Sequence, residues 1–141
     1  MRNRSTLRLI DASANRALEG VRVCEEIVRF HWSNPRAFRR LRTLRHGIAG
    51  AVRRLPNTPR ELIEARNSAQ DPGRTASSAP VDSLERLLLI NLQRAKESLR
   101  VLEECARVVA PPSSRSFQRL RFHIYEVERE LLRKLAAVRH R

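Results

Sequence analysis

Asp11, Asn15, Glu19, Arg22 and Glu26 fall at i, i+4, i+8, i+11 and i+15 and would share one stripe of a helix. Carboxylates in such a row can hold a divalent cation, and guanidinium groups beside them can grip phosphate oxygens. A single stripe of this kind is ordinarily a solvated face whose intrahelical ion pairs are worth a few tenths of a kcal/mol each, on the order of 0.2–0.5. Here the stripe occurs twice. Arg16, Ala17, Glu19, Arg22, Val23, Glu25, Glu26 and Arg29 meet identical residues seventy-eight positions on, from Arg94 to Arg107, so that Gln93, Glu97, Arg100 and Glu104 form a second stripe. Most of these identities are charged, whereas a repeat kept only for packing would preserve its apolar residues. The recurrence argues for function, although a duplication alone would also produce it.

Other polar residues extend the list of candidates. Arg66, Asp71 and Arg74 lie in a loop, and the Asp71 carboxylate before Pro72-Gly73 could reach Mg²⁺ or a substrate hydroxyl, or merely close its own turn. Arg45 and His46, and further on Arg121, His123 and Tyr125, add groups on later helices. Gly20 and Ser98 occupy equivalent positions beside the stripes, and a small residue there would let a second helix or a ligand approach the backbone. There is no glycine-rich phosphate loop, no Ser/His/Asp arrangement and no specific metal-ligand spacing.

The elements that must position these groups are helices. Ile10, Ala14, Ala17, Val21, Cys24 and Val28 form an apolar stripe within a helix from about Thr6 to Phe30. Asn34-Pro35 opens a second helix to about Leu55, and Thr58-Pro59-Arg60-Glu61 is a capping box for a short one ending near Arg66. Residues 67–81 read as a linking loop, long enough to be functional or disordered. Asp82-Ser83-Leu84-Glu85 caps the helix that carries the second stripe to about Val109, Pro111-Pro112 stops it, and a last helix runs from near Ser114 until it frays at His140-Arg141. The expectation is a single all-α domain over 1–141: a duplicated helical hairpin, copy one about 6–66 and copy two about 82–137, forming a four-helix bundle with an extra short helix.

Composition bounds the partners. Twenty-nine basic residues against fifteen acidic ones give a net charge of +14, which favours an anionic partner such as nucleic acid, a membrane surface or a phosphorylated small molecule. Only Lys96 and Lys134 are lysines, so a codon bias contributes to the arginine excess without explaining its recurrence at fixed positions. Few aromatics argue against a stacking platform for single strands. Cys24 and Cys105 read as buried thiols in a reducing compartment, and with no apolar run of membrane length the expectation is a soluble, cytoplasmic protein.

The stretch from Asp11 to Glu26, followed by Arg29-Phe30, resembles the signature of a small helical domain found at the N-terminus of some bacterial thiamine phosphate synthases and sometimes alone, the non-orthologous hydroxymethylpyrimidine-phosphate kinase family. The likeness continues through Leu44-Arg45-His46, Ala65 to Ser68, Asp71-Pro72-Gly73, Asn91 to Glu104, Leu120 to Phe122 and Tyr125 to Glu128, almost the whole chain. Ser13 and Asn67 stand where the family usually has asparagine and aspartate, Pro72 where valine is common and Gln93 where lysine is common. The resemblance implies transfer of the ATP γ-phosphoryl group, with Mg²⁺, onto 4-amino-5-hydroxymethyl-2-methylpyrimidine phosphate, giving the diphosphate used in thiamine synthesis. It also makes a thiamine phosphate synthase the protein partner to expect.

On this reading both stripes face one cleft closed by Arg66 and the Asp71 turn. Glu19, Arg22, Asp71, Glu97 and Arg100 are the catalytic candidates. Asp11, Asn15, Arg16, Arg45, Arg66, Asn91, Arg94, Arg121 and Tyr125 bind substrate or phosphate, and Glu26 and Glu104 hold metal. The alternatives are a non-catalytic basic module for RNA, a partner protein or the pyrimidine phosphate, and an Mg²⁺-dependent nucleotide pyrophosphohydrolase.

Overall fold

The Asn3 side chain accepts a hydrogen bond from the Ser5 amide and so caps α1 (Arg4–Phe30), two residues ahead of the expected start. The computed structural model to which this helix belongs describes residues 3–139, so the expected fraying of His140-Arg141 lies outside the described residues. Ser33, at a left-handed φ of 48°, turns the chain into α2 (Pro35–Arg53), whose cap is the expected Asn34. The Thr58–Glu61 capping box forms in full at the start of α3 (Pro59–Ala65). After a 3-10 turn at Ser68–Gln70 the chain stays irregular until Ser83, which caps α4 (Leu84–Val109) through the Arg86 amide. Pro111–Ser113 makes a second 3-10 turn that leads directly into α5 (Ser114–Arg139).

Among the described residues every regular element is helical, as expected for an all-α bundle with an extra short helix. The four long helices close a ring in which α1 packs on α2, α2 on α5, α5 on α4 and α4 back on α1, while α3 lies against α1. One core runs through the ring, with Ile10, Val21, Leu41 and Ile48 from the first half meeting Leu92, Leu99, Phe117 and Ile124 from the second. No described helix is long and apolar enough to cross a membrane.

The α1–α4 contact decides where a ligand could sit. Contacts of Gly20 with Asn91 and of Cys24 with Leu88 make the two helices antiparallel. Small residues draw them together: a Cβ on Gly20 would stand 3.1 Å from the Asn91 carbonyl oxygen and 3.6 Å from the Ala95 Cβ. What approaches the Gly20 backbone is thus a helix. Cys24 and Cys105 are unpaired and buried, as expected; Cys24 Sγ donates to the Leu88 carbonyl at 3.6 Å, and burial pushes its thiol up to about 12.

Two ion pairs stitch the hairpins internally. Glu25, fully buried on α1, accepts Arg45 of α2, with Nη2 3.2 Å from Oε1. Its repeat partner Glu103 accepts Arg121 of α5 at 3.0–3.1 Å.

Candidate functional site

Two cavities of about 630 and 460 Å³ meet along the solvent side of α1, sharing Ser13, Arg16, Glu19 and Val101, and together make one groove. The smaller, central lobe lies between α1 and α4. Ser13, Arg16, Glu19 and Gly20 line it from α1, and Asn91, Arg94, Glu97 and Ser98 line it from α4. These are four pairs of residues at the repeat offset, so each copy contributes the same four positions. The larger, loop lobe continues over the N-terminal half of α1, where Arg8, Asp11 and Asn15 face Arg66, Asn67, Ser68 and Asp71 from the segment after α3.

Among the described residues one ion pair ties that segment to α1. Arg66 donates Nε to Asp11 Oδ2 and Nη2 to Asp11 Oδ1, both at 2.8 Å, and the hydrogen bond to this carboxylate raises the Arg66 pKa. Asn15 Nδ2 lies 3.4 Å from the same Oδ1. Asp71 closes its own turn by accepting the Gly73 amide at 2.8 Å, the local role open to an aspartate at that spacing, and it also lines the lobe.

Charge pairing separates the repeated residues into three groups. Glu25 and Glu103 are sealed in the ion pairs to Arg45 and Arg121. Arg22 stands 3.3 Å from Glu26 on its own helix, and Arg100 lies 3.2 Å from Glu104, which Arg107 also contacts at 2.8 Å. Among the described residues Arg16, Glu19, Arg94 and Glu97 make no ion pair with protein, and all four point into the central lobe. A charged side chain kept beside a concave wall without a partner can accept one from solution.

The structure therefore divides the residues that the sequence places in a single cleft. It gathers Asp11, Asn15, Arg16, Glu19, Arg66, Asp71, Asn91, Arg94 and Glu97 along the groove. Arg22, Glu26, Arg100 and Glu104 are not in its lining; three residues after Glu19 and Glu97, Arg22 and Arg100 point about 60° away from them around their helices, off the seam. Arg45 serves Glu25 instead. Arg121 is occupied by Glu103 and by the Tyr125 hydroxyl at 2.9 Å, both on the α4–α5 seam. Burial there works to lower the Arg121 pKa, but the hydrogen bonds to Tyr125 and Glu103 outweigh it and raise it. Lys96 joins this cluster, 2.8 Å from Glu128 and over the Tyr125 ring. His46 and His123 also lie outside the groove lining.

Arg8 and Ser5, by contrast, line the loop lobe without having been singled out from the sequence. Extending the Arg16 face upstream by helical spacing would have reached them: Arg8 precedes Ala12 by four residues and Ala12 precedes Arg16 by four.

The ThiD2 family model matches residues 8–130. The chain belongs to the ThiD2 family. It is 34% identical to a thiamine-phosphate synthase of Rhodopirellula baltica, over 99% of this chain and 37% of that relative. It is 33% identical to thiamine-phosphate synthases of Nostoc punctiforme and Gloeobacter violaceus, over 89% and 94% of this chain and 35% and 40% of theirs. The chain thus spans little more than a third of the length of these relatives, which are thiamine biosynthesis enzymes. No solved structure matches it. ThiD2 membership places the groove in a family tied to thiamine biosynthesis, the setting the motifs imply.

Proposed function

We propose that this ThiD2-family chain is an ATP-dependent kinase that converts 4-amino-5-hydroxymethyl-2-methylpyrimidine phosphate to its diphosphate for thiamine synthesis. The observation that carries the reading is the convergence of unpaired Arg16 and Arg94 with unpaired Glu19 and Glu97 in one groove. Phosphoryl transfer between two anions asks mainly for positioning and charge neutralisation, and this lining supplies both.

The balance of the step suits the residues present. An oxygen of the acceptor's phosphate bonds to the γ-phosphorus, and the bond from the γ-phosphorus to the β,γ-bridging oxygen breaks. That oxygen leaves with ADP. The nucleophile is an ionised phosphate oxygen and needs no general base, so a groove without histidine is no obstacle. Arg16 and Arg94 would neutralise the phosphate charge that the groove has to gather.

Among the described residues no three His, Cys, Asp or Glu side chains come together. Mg²⁺ is commonly held by one or two carboxylates and completes its shell with phosphate oxygens and water. Glu19 and Glu97 fit that lighter demand and would hold the ion, which supplies electrostatic screening of the phosphates when bound.

The test is direct: purified protein, Mg-ATP and the pyrimidine monophosphate, with the diphosphate product measured. Product formation supports the kinase. ATP hydrolysis that ignores the pyrimidine would favour a pyrophosphohydrolase or ATPase. Salt-sensitive polyanion binding without any turnover would favour the basic binding module.

A further inference from the structure

Arg16 and Arg94 are equals in sequence, yet the groove makes them unequal. Arg94 and Glu97 line the central lobe alone, whereas Arg16 and Glu19 line the central lobe and the loop lobe together. The walls of the two lobes also differ in kind. The charges of the central lobe come in equivalent pairs, one from each helix. The loop lobe has no such match: Asn15, Asn67 and Asp71 reach it from α1 and from the segment after α3.

We propose that the central lobe takes the donor's polyphosphate and the loop lobe takes the pyrimidine acceptor, with Arg16 and Glu19 at the junction where the phosphoryl group passes between them. This assignment rests on the kinase reading. A polyphosphate presents similar anionic oxygens along both of its edges, so two arginines offered from facing helices match it. An aminopyrimidine has an uneven edge of donors and acceptors, and it requires an uneven wall with amide and carboxylate groups. Glu19 and Glu97 would repel a bare polyphosphate from the central lobe, so binding there depends on a divalent cation that both can share with the phosphates. Arg94 then acts on the donor alone, and Arg16 acts on the donor and on the transfer.

Calorimetry on the full chain separates these roles, with inorganic tripolyphosphate plus Mg²⁺ as the central-lobe probe and the pyrimidine monophosphate as the loop-lobe probe. Arg94→Ala is expected to weaken tripolyphosphate about ten- to a hundredfold, the loss of one charge-assisted contact, and to leave the pyrimidine monophosphate unchanged. Arg94→Lys should recover part of the loss. Asn15→Ala should do the reverse, weakening the pyrimidine monophosphate only. In turnover, Arg94→Ala should raise KM for ATP with kcat nearly kept, and Arg16→Ala should lower kcat as well. Omitting Mg²⁺ should abolish tripolyphosphate binding to the wild type, and the Glu19→Gln, Glu97→Gln double variant should regain metal-free binding, an effect a merely structural role would not produce.

The assignment is overturned if Arg94→Ala weakens the pyrimidine monophosphate in place of tripolyphosphate, or if tripolyphosphate binding ignores both arginines. A wild type that makes no diphosphate but binds Mg-tripolyphosphate through Arg16 and Arg94 removes the kinase reading and keeps the central anion site. Diphosphate formation with tripolyphosphate binding indifferent to Arg94 keeps the kinase and removes the lobe assignment.

Discussion

Arg66 and Asp11 meet in a two-point ion pair, Nε and Nη2 each 2.8 Å from a carboxylate oxygen, across fifty-five residues of chain. Asp11 is almost wholly buried on α1, so the pair is the fastening that holds the post-α3 segment against the groove. Arg66→Ala should release residues 67–81 while leaving the bundle folded. The check is limited proteolysis: trypsin should cut at Arg74 faster in the variant than in the wild type, with the helical circular dichroism unchanged. Equal cutting rates would show that other contacts hold the loop.

Gly20 faces the backbone of α4 at close range. Alanine is favoured over glycine in a helix by about 1 kcal/mol, but its Cβ would meet the Asn91 carbonyl oxygen at 3.1 Å. That oxygen belongs to the backbone of α4 and cannot swing away, so the helices must part. Gly20→Ala is expected to destabilise by about 1 kcal/mol net, overpacking of about 1–3 kcal/mol outweighing the propensity gain. Urea unfolding measures it, and a stabilised variant would show that α4 shifts freely.

Arg16 and Arg22 lie on the same helix with the same charge, but only Arg16 lines the groove. If the groove holds phosphate, Arg16→Ala should cost about 1.5–3 kcal/mol in kcat/KM. Arg22→Ala, which breaks a part-exposed pair with Glu26 away from the groove lining, should stay close to wild type in kcat/KM. Steady-state kinetics on the two variants decides, and a larger loss at Arg22 would move the site outward along the helix.

Glu25 is fully buried and its hydrogen-bonding partner is Arg45. Arg45→Ala strands that carboxylate and should cost about 3–5 kcal/mol. Arg121→Ala should cost less, since Glu103 keeps Arg100 at 3.6 Å. Thermal or denaturant unfolding of both variants gives the ranking. A reversed order would mean that the Tyr125 and Lys96 contacts dominate the second pair.

The Cys24 thiol stands at about 12 because burial disfavours the thiolate. Native protein at pH 8 should therefore resist alkylation at Cys24 and react only once unfolded. The folded value lies above the unfolded one of about 8.5. This group's contribution is thus complete below pH 8.5 and is lost as pH rises toward 12. Cys24→Ser should blunt the alkaline loss of stability, measured as Tm between pH 8 and 11.

Much of the fold was legible because its signals are local. Asn34, Thr58 with Glu61, and Ser83 each cap the helix that follows them, and a cap is satisfied by neighbours within three residues. The apolar stripe from Ile10 to Val28 needs only the helical period, and all six of its residues are buried. The repeat likewise announced that charged positions on α1 and α4 correspond.

The partners of those charges could come only from the tertiary structure. Helical period sets Glu25 at the border of the apolar stripe, about 20° past Ala14, and Glu19 and Glu26 on the opposite side, but it names no partner for any of the three. Packing α2 on one side of α1 and α4 on the other sends Glu25 inward to Arg45, leaves Glu26 beside Arg22 at the surface, and turns Glu19 toward the groove. Which partner a side chain meets depends on helices far away in sequence. A helical period sets direction around one axis, and only the crossing of a second axis determines what lies in that direction.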